Sequence, residues 1–179
     1  VLNQCYSTRG LTVVAANNIA STLWNLFSVC FISLGSATGI IIGQMLGAGK
    51  PADEVRDCDR KLIAFSVTSC AVFGIAMAAV SGVFPLIYKT DNSVRSLATA
   101  FICINAVIMP FNAYANAAYF TLRSGGKTLS TLLFDSCFVW VVSVPVAYTL
   151  SRFTGIAILP LYAVCQSAEI LKCVIGYIM

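Results

Sequence analysis

The sequence predicts an all-α integral membrane protein with about five transmembrane helices. Three observations predict it. The chain of 179 residues is 59% hydrophobic and only 10% charged, whereas a soluble domain carries about 25% charged residues. Its mean hydropathy is +0.87, too apolar for its polar residues to cover a globule of this size. The apolar residues also form long unbroken runs, as membrane helices of about 20 residues require. A transmembrane barrel would instead show period-2 alternation in segments of about 10 residues.

Five segments follow in order, at about 11–46, 62–88, 94–122, 129–150 and 156–179. The first is far longer than one crossing, so it must tilt, break or lie partly at the interface. Asn18, Ser21, Thr22 and Asn25 recur along it at i, i+3, i+4 and i+7 and form one polar stripe. Such a stripe faces protein or a water-filled cavity rather than lipid, either as interhelical hydrogen-bond glue or as cavity lining. Gly35, Gly39, Gly43 and Gly47 are spaced by four and make a smooth strip for close helix packing. Gly47 and Gly49 suit a helix end, and Pro51 cannot continue the helix. Residues 50–61 carry four cations and four anions and read as an amphipathic connector.

The second segment has Pro85 near its end, and Asn92 or Ser93 is placed to cap the third. In the third, Pro110 removes a backbone donor and marks a kink. Asn105, Asn112, Asn116 and Tyr119 fall on one face around it. The fourth carries Asp135, Trp140 and Pro145; the fifth carries Pro160, Gln166, Glu169 and Lys172. Among the loops, six Lys and Arg fall on the side of 47–61 and 123–128 and four on the other. The excess places those two loops in the cytoplasm.

No enzyme constellation is present. The chain has no His, so it lacks a Ser/His/Asp set, and the single acid near Asp135 in kind is Glu169. Gly125-Gly126-Lys127-Thr128 lacks the upstream glycine and strand of a phosphate-binding loop. Eight Cys without CxxC or His form no zinc pattern, and most sit in apolar runs as small hydrophobes. Net charge is +4 without a basic tract, so nucleic acid is not an expected partner. No cofactor or metal is expected.

Asp135 is the sharpest candidate. It lies about 9 Å past the 123–128 turn at 1.5 Å per residue, within an apolar segment where an acid is costly. One reading is a protonatable or cation-binding group in a transport path, its proton held by burial. The other is a structural acid paired with Arg123, Lys127 or Lys172, or stabilised near its helix start. Glu169 and Lys172, at i and i+3, can form an intramembrane pair.

Ile42-Gly43-Gln44-Met45-Leu46-Gly47-Ala48-Gly49, after Ala15-Ala16-Asn17-Asn18-Ile19-Ala20, resembles the helix ending GQxLGAG in multidrug and toxic compound extrusion (MATE) transporters. Leu122-Arg123-Ser124-Gly125-Gly126-Lys127-Thr128 resembles that family's LRxGGDT turn, and the helix from Phe134-Asp135 through Trp140 to Pro145 resembles the one that follows it. The resemblance runs in order through nearly the whole chain. It implies twelve helices in two six-helix halves around an alternating-access cavity, exporting cationic or amphipathic compounds in exchange for Na⁺ or H⁺.

On that resemblance residues 1–179 are a partial C-terminal lobe, a piece of a multi-pass protein of the plasma (inner) membrane. Its partners would be the bilayer, a small organic cation and the missing N-terminal half. Lys127 stands where the family turn has Asp, so no cation role passes to that turn. The coupling role of Asp135 is read from its own position rather than carried over. The candidate cavity residues are Asn18, Ser21, Thr22, Asn25, Asn105, Asn112, Asn116 and Tyr119, with Pro110 and Pro145 as bending points and the glycine strip as a sliding contact. A lipid-linked oligosaccharide flippase of the same superfamily is the nearest alternative. A non-transporting membrane scaffold and a lipid-acting membrane enzyme are the others.

Overall fold

A computed structural model describes residues 10–126 together with 145, 159, 160, 162–164 and 166. Three helices dominate: α1 (Leu11–Gly47), α2 (Ala52–Val80) and α3 (Asn92–Ser124). A short 3₁₀ turn, Phe84–Ile87, joins α2 to α3. All three helices are long and apolar enough to cross a membrane. The fold is that of an all-α membrane protein, and no strand occurs among the described residues.

α1 is unbroken over 37 residues, about 55 Å at 1.5 Å per residue, well beyond a hydrocarbon core of about 30 Å. It ends in a Schellman motif. Gly49 takes φ +68°, Lys50 N–H donates to Met45 O at 3.2 Å, and Gly49 N–H donates to Leu46 O at 3.1 Å. Glycine adopts that left-handed conformation without a Cβ penalty, and the two bonds satisfy carbonyls the helix end would leave open.

The second helix starts ten residues before the apolar run suggests. Residues 52–61, expected as a connector, are its first turns. Asp53 and Glu54 lie in the opening turn, where the helix dipole favours negative charge. Lys50–Glu54 and Asp57–Lys61 ion pairs run along the exposed surface at i, i+4 spacing. Each is solvent-exposed and adds little on its own. The helix also stops earlier, at Val80 rather than near Tyr88, and the apolar run continues into the 3₁₀ turn around Pro85. Asp91, rather than Asn92 or Ser93, caps α3: Asn92 N–H donates to its carboxylate at 2.8 Å and Ser93 Oγ at 3.0 Å. Pro110 lies inside α3, which continues on both sides of it.

α1 and α3 form the principal contact, and α2 packs chiefly against α3 and also touches α1. Ala16, Ala20, Leu23, Met77, Phe101 and Ile102 form one buried cluster; Phe31, Cys70, Met109 and Ala113 form a second. Large apolar side chains such as Phe65, Val72, Ile75 and Val107 point outward. In water this would be a liability; in a bilayer it is the lipid-facing surface.

Glycine makes the contacts close. A Cβ on Gly35 would sit 2.9 Å from the Phe120 ring, and one on Gly39 3.0 Å from Phe120 Cβ. Gly74 of α2 is tighter still, 2.8 Å from the Ala106 carbonyl oxygen, a backbone atom that cannot swing aside. Gly47 has nothing within 4 Å and takes no part in the packing. Gly74→Ala is therefore expected to destabilise the bundle by about 1–3 kcal/mol through overpacking, while Gly47→Ala leaves stability unchanged or slightly raised. Thermal unfolding of the two variants in one detergent checks the contrast.

Candidate functional site

The described polar groups of the bundle separate into an outward face, an enclosed node and one hydrogen-bonded end. Asn18, Thr22 and Asn25 are exposed and Ser21 is half-buried. The buried positions of α1, including Ala16, Ala20, Phe31, Gly35 and Ile42, lie roughly opposite at 3.6 residues per turn. The stripe thus points away from α3. Thr22 Oγ donates to Asn18 O at 2.9 Å and Ser28 Oγ to Asn25 O at 2.8 Å. The hydroxyls are satisfied by their own helix, and the Asn side chains face outward.

The asparagine face of α3 points the other way. Asn105 is only 2% exposed. Its Oδ1 accepts from Tyr162 Oη at 3.0 Å and from Gln166 Nε2 at 2.8 Å. The Tyr162 ring stacks on Phe101 with centroids 4.2 Å apart. Asn116 Nδ2 donates to Asn112 O at 2.9 Å, and the Asn116 backbone lies against Gly35. Tyr119 meets Phe120 edge-on at 5.5 Å. The two polar faces do not converge on one opening among the described residues. Asn105 is a packing node joining α3 to the C-terminal segment, and the open polar face is the one on α1.

The third region is the bundle end that carries the α1–α2 turn. Ser124 Oγ donates to Gly39 O at 2.6 Å, tying α3 to α1. Thr121 Oγ donates to Asp59 Oδ1 at 2.8 Å, tying α3 to α2. The glycine strip expected as a sliding contact is here a bonded contact inside the bundle. Two clefts flank it. One, of about 310 Å³, is walled by Ile42, Leu46, Val55 and Leu122, with Arg56 and Asp59 on it. The other, of about 500 Å³, lies along Gly39, Gly43, Gln44, Phe120 and Arg123. Beside them, the hydrogen bond and charge of Glu54 hold the exposed Lys50 above the usual lysine range. Sequence reasoning missed Asp59 and Thr121, because Asp59 sits in a charge-balanced stretch that reads as a connector. Its one signal was the i, i+3, i+4, i+7 spacing of Ala52, Val55, Arg56 and Asp59.

Asp135, Trp140, Glu169 and Lys172 lie outside the described residues. Pro145 is described as helical and exposed. No cluster of metal-ligating side chains occurs among the described residues.

A membrane bundle with close glycine contacts and an outward polar stripe is consistent with several transporter folds, and comparison decides between them. The MatE family model matches residues 3–149. The chain belongs to the MatE family. It is 27% identical over 147 residues to a "Probable multidrug resistance protein NorM" of Mannheimia succiniciproducens, covering 82% of this chain and 31% of that protein. It is 28% identical over 155 residues to the protein of the same name from Pasteurella multocida, again 82% of this chain and 31% of that one. It is 28% identical over 144 residues to "Multidrug resistance protein PmpM" of Pseudomonas aeruginosa, covering 77% and 29%. The chain thus spans about a third of the length of these MatE relatives.

Replacing Asn105 with Ala removes the oxygen that accepts from both the Tyr162 hydroxyl and the Gln166 amide. A lost intramolecular hydrogen bond costs about 0.5–1.5 kcal/mol, and two are lost together, so Asn105→Ala is expected to lower the melting temperature clearly. Asn18→Ala, on the exposed face, is expected to leave it unchanged. A melting curve of each variant in detergent separates node from stripe.

Proposed function

We propose that this chain is part of a secondary active antiporter that exports cationic or amphipathic compounds in exchange for Na⁺ or H⁺ by alternating access. The MatE match over residues 3–149 and the multidrug resistance names of its relatives support the class. The observation that carries the reading is the exposed Asn18, Thr22 and Asn25 face of α1. Amide side chains on a membrane helix need water or protein rather than lipid. A face turned away from its own bundle suits the wall of an aqueous path closed by another part of the protein. Transporters built from repeats place their site at such an interface and rock the halves about it.

In this reading the Ser124–Gly39 and Thr121–Asp59 bonds hold the three described helices together at one end as the protein rocks. Pro110 is the bending point within α3, and Pro145 a second. Asp135 is the ion-coupling acid, and Glu169 and Lys172 form an intramembrane pair. The 47–61 and 123–128 loops face the cytoplasm of a plasma (inner) membrane protein, following the charge excess.

The test uses the full-length protein in proteoliposomes, with efflux of a fluorescent organic cation driven by an imposed Na⁺ or H⁺ gradient. Asp135→Asn is expected to abolish the gradient-driven component while substrate binding persists. The Asn18→Leu, Asn25→Leu double variant is expected to slow efflux severalfold with an unchanged melting curve. Wild-type efflux that does not respond to either gradient sinks the antiport reading. Unchanged efflux in the double variant returns the stripe to a scaffold role.

A further inference from the structure

The cleft between α1, α2 and α3 carries two opposite charges that no ion pair among the described residues uses. Asp59 is half-buried, and its single partner among the described residues is the neutral Thr121 hydroxyl at 2.8 Å. A carboxylate has about four lone-pair sites, so most of its acceptor capacity remains open. Arg56 is exposed on the same cleft. The ion pairs of this stretch are Lys50–Glu54 and Lys61–Asp57, and neither uses Arg56 or Asp59. The two residues lie three positions apart on one helical face, about 4.5 Å along the axis at 1.5 Å per residue. Apart from Thr121, the rest of the wall is apolar or small, with Ile42, Leu46, Val55 and Leu122 its large aliphatic members. The cleft volume of about 310 Å³ lies at the lower end of the range of small-ligand sites.

We propose that this cleft binds a zwitterionic phospholipid with a primary ammonium headgroup, the phosphatidylethanolamine class. The ammonium donates to Asp59, the phosphate takes the Arg56 guanidinium, and the start of an acyl chain lies along Leu46, Val55 and Leu122. The charge order selects the occupant. A lipophilic cation meets Asp59 but is repelled by Arg56. An anionic phospholipid meets Arg56 but is repelled by Asp59. Phosphatidylcholine has the right charges, but its quaternary nitrogen has no N–H to give the carboxylate. Arginine matches phosphate geometry through its planar fork, and a charge-assisted bond to Asp59 is of the stronger kind. The position suits a lipid, because the cleft opens where charged α2 turns succeed the apolar helix, at the level of a headgroup. Asp59 also bonds α3, so an occupant here links the bilayer to the α2–α3 contact.

The inference rests on the membrane-spanning fold alone and not on transport, so it is tested by binding. The full-length protein is loaded in detergent with equal phosphatidylethanolamine, phosphatidylcholine and phosphatidylglycerol of one chain length, and retained lipid is read by native mass spectrometry. Wild type is expected to retain phosphatidylethanolamine about tenfold over the other two, the effect of one charge-assisted hydrogen bond. Asp59→Asn, which keeps the side-chain shape, is expected to equalise phosphatidylethanolamine and phosphatidylcholine. Arg56→Gln is expected to weaken retention of phosphatidylethanolamine. Leu46→Trp, at an exposed position, fills the groove and is expected to reduce retention; it keeps the test decisive if Asp59→Asn does not fold. Equal retention of the three lipids by wild type overturns the proposal. So does an unchanged preference in the variants. Displacement of lipid by tetraphenylphosphonium, with tighter binding of that cation in Arg56→Gln, also overturns it and assigns the cleft to organic cations.

Discussion

Helices in a bilayer have no hydrophobic reason to associate, because lipid chains are as apolar as their side chains. What holds this bundle is therefore backbone proximity. Gly35 and Gly39 of α1 let α3 approach until Phe120 and Ser124 fill the space a Cβ would take. Gly74 does the same for α2 against Ala106. Ala98, Ala106, Ala113 and Ala117 present a low face on α3 that receives both neighbours. Many small dispersion contacts add up only where the surfaces fit this closely. Polar bonds such as Ser124–Gly39 O then fix the register of helices already in contact.

The same solvent argument sorts the polar residues. A buried amide must find its partners inside the protein, and Asn105 does so with Tyr162 and Gln166. An outward amide must find water or another part of the protein, and Asn18 and Asn25 have no described helix against them. Both sets look alike as residue types. Only the direction in which each helix presents them distinguishes an internal fastening from a surface made for something else.

How much was legible follows from which physics each feature obeys. The three described spans were visible, because hydropathy is a sum over long windows. The family was visible in Gly43-Gln44 to Gly49 and Leu122 to Gly126, where glycine and turn chemistry fix the residue types. The start of α2 at Ala52 was not, because the helix continues past the apolar run and is held there by dipole and i, i+4 pairs that hydropathy does not weigh. Its end at Val80 was hidden for the opposite reason: the apolar run outlasts the helix. The cap on α3 was misplaced by one or two residues, to Asn92 or Ser93, since Asp, Asn and Ser are all good caps and three of them stand in a row. The polar stripes were correctly periodic, but periodicity gives a face without its direction. That is set by tertiary packing, here by where the glycines lie.

The glycine strip and the polar stripe of α1 bear on each other through this geometry. A helix so long has one side committed to α3 through Gly35 and Gly39, where a larger residue would crowd Phe120. Its opposite side is then free of packing demands from the other described helices. Aliphatic residues would be the least costly choice there if lipid were the neighbour, as they are at Leu26, Val29 and Ile32. Asn18, Thr22 and Asn25 instead interrupt the outward surface over the first half of the helix. Two neighbouring tracts of the same helix thus differ in polarity but not in packing, so the bundle's own stability does not explain the difference. The difference points to what lies beyond the described helices, where amide side chains call for water or protein rather than lipid.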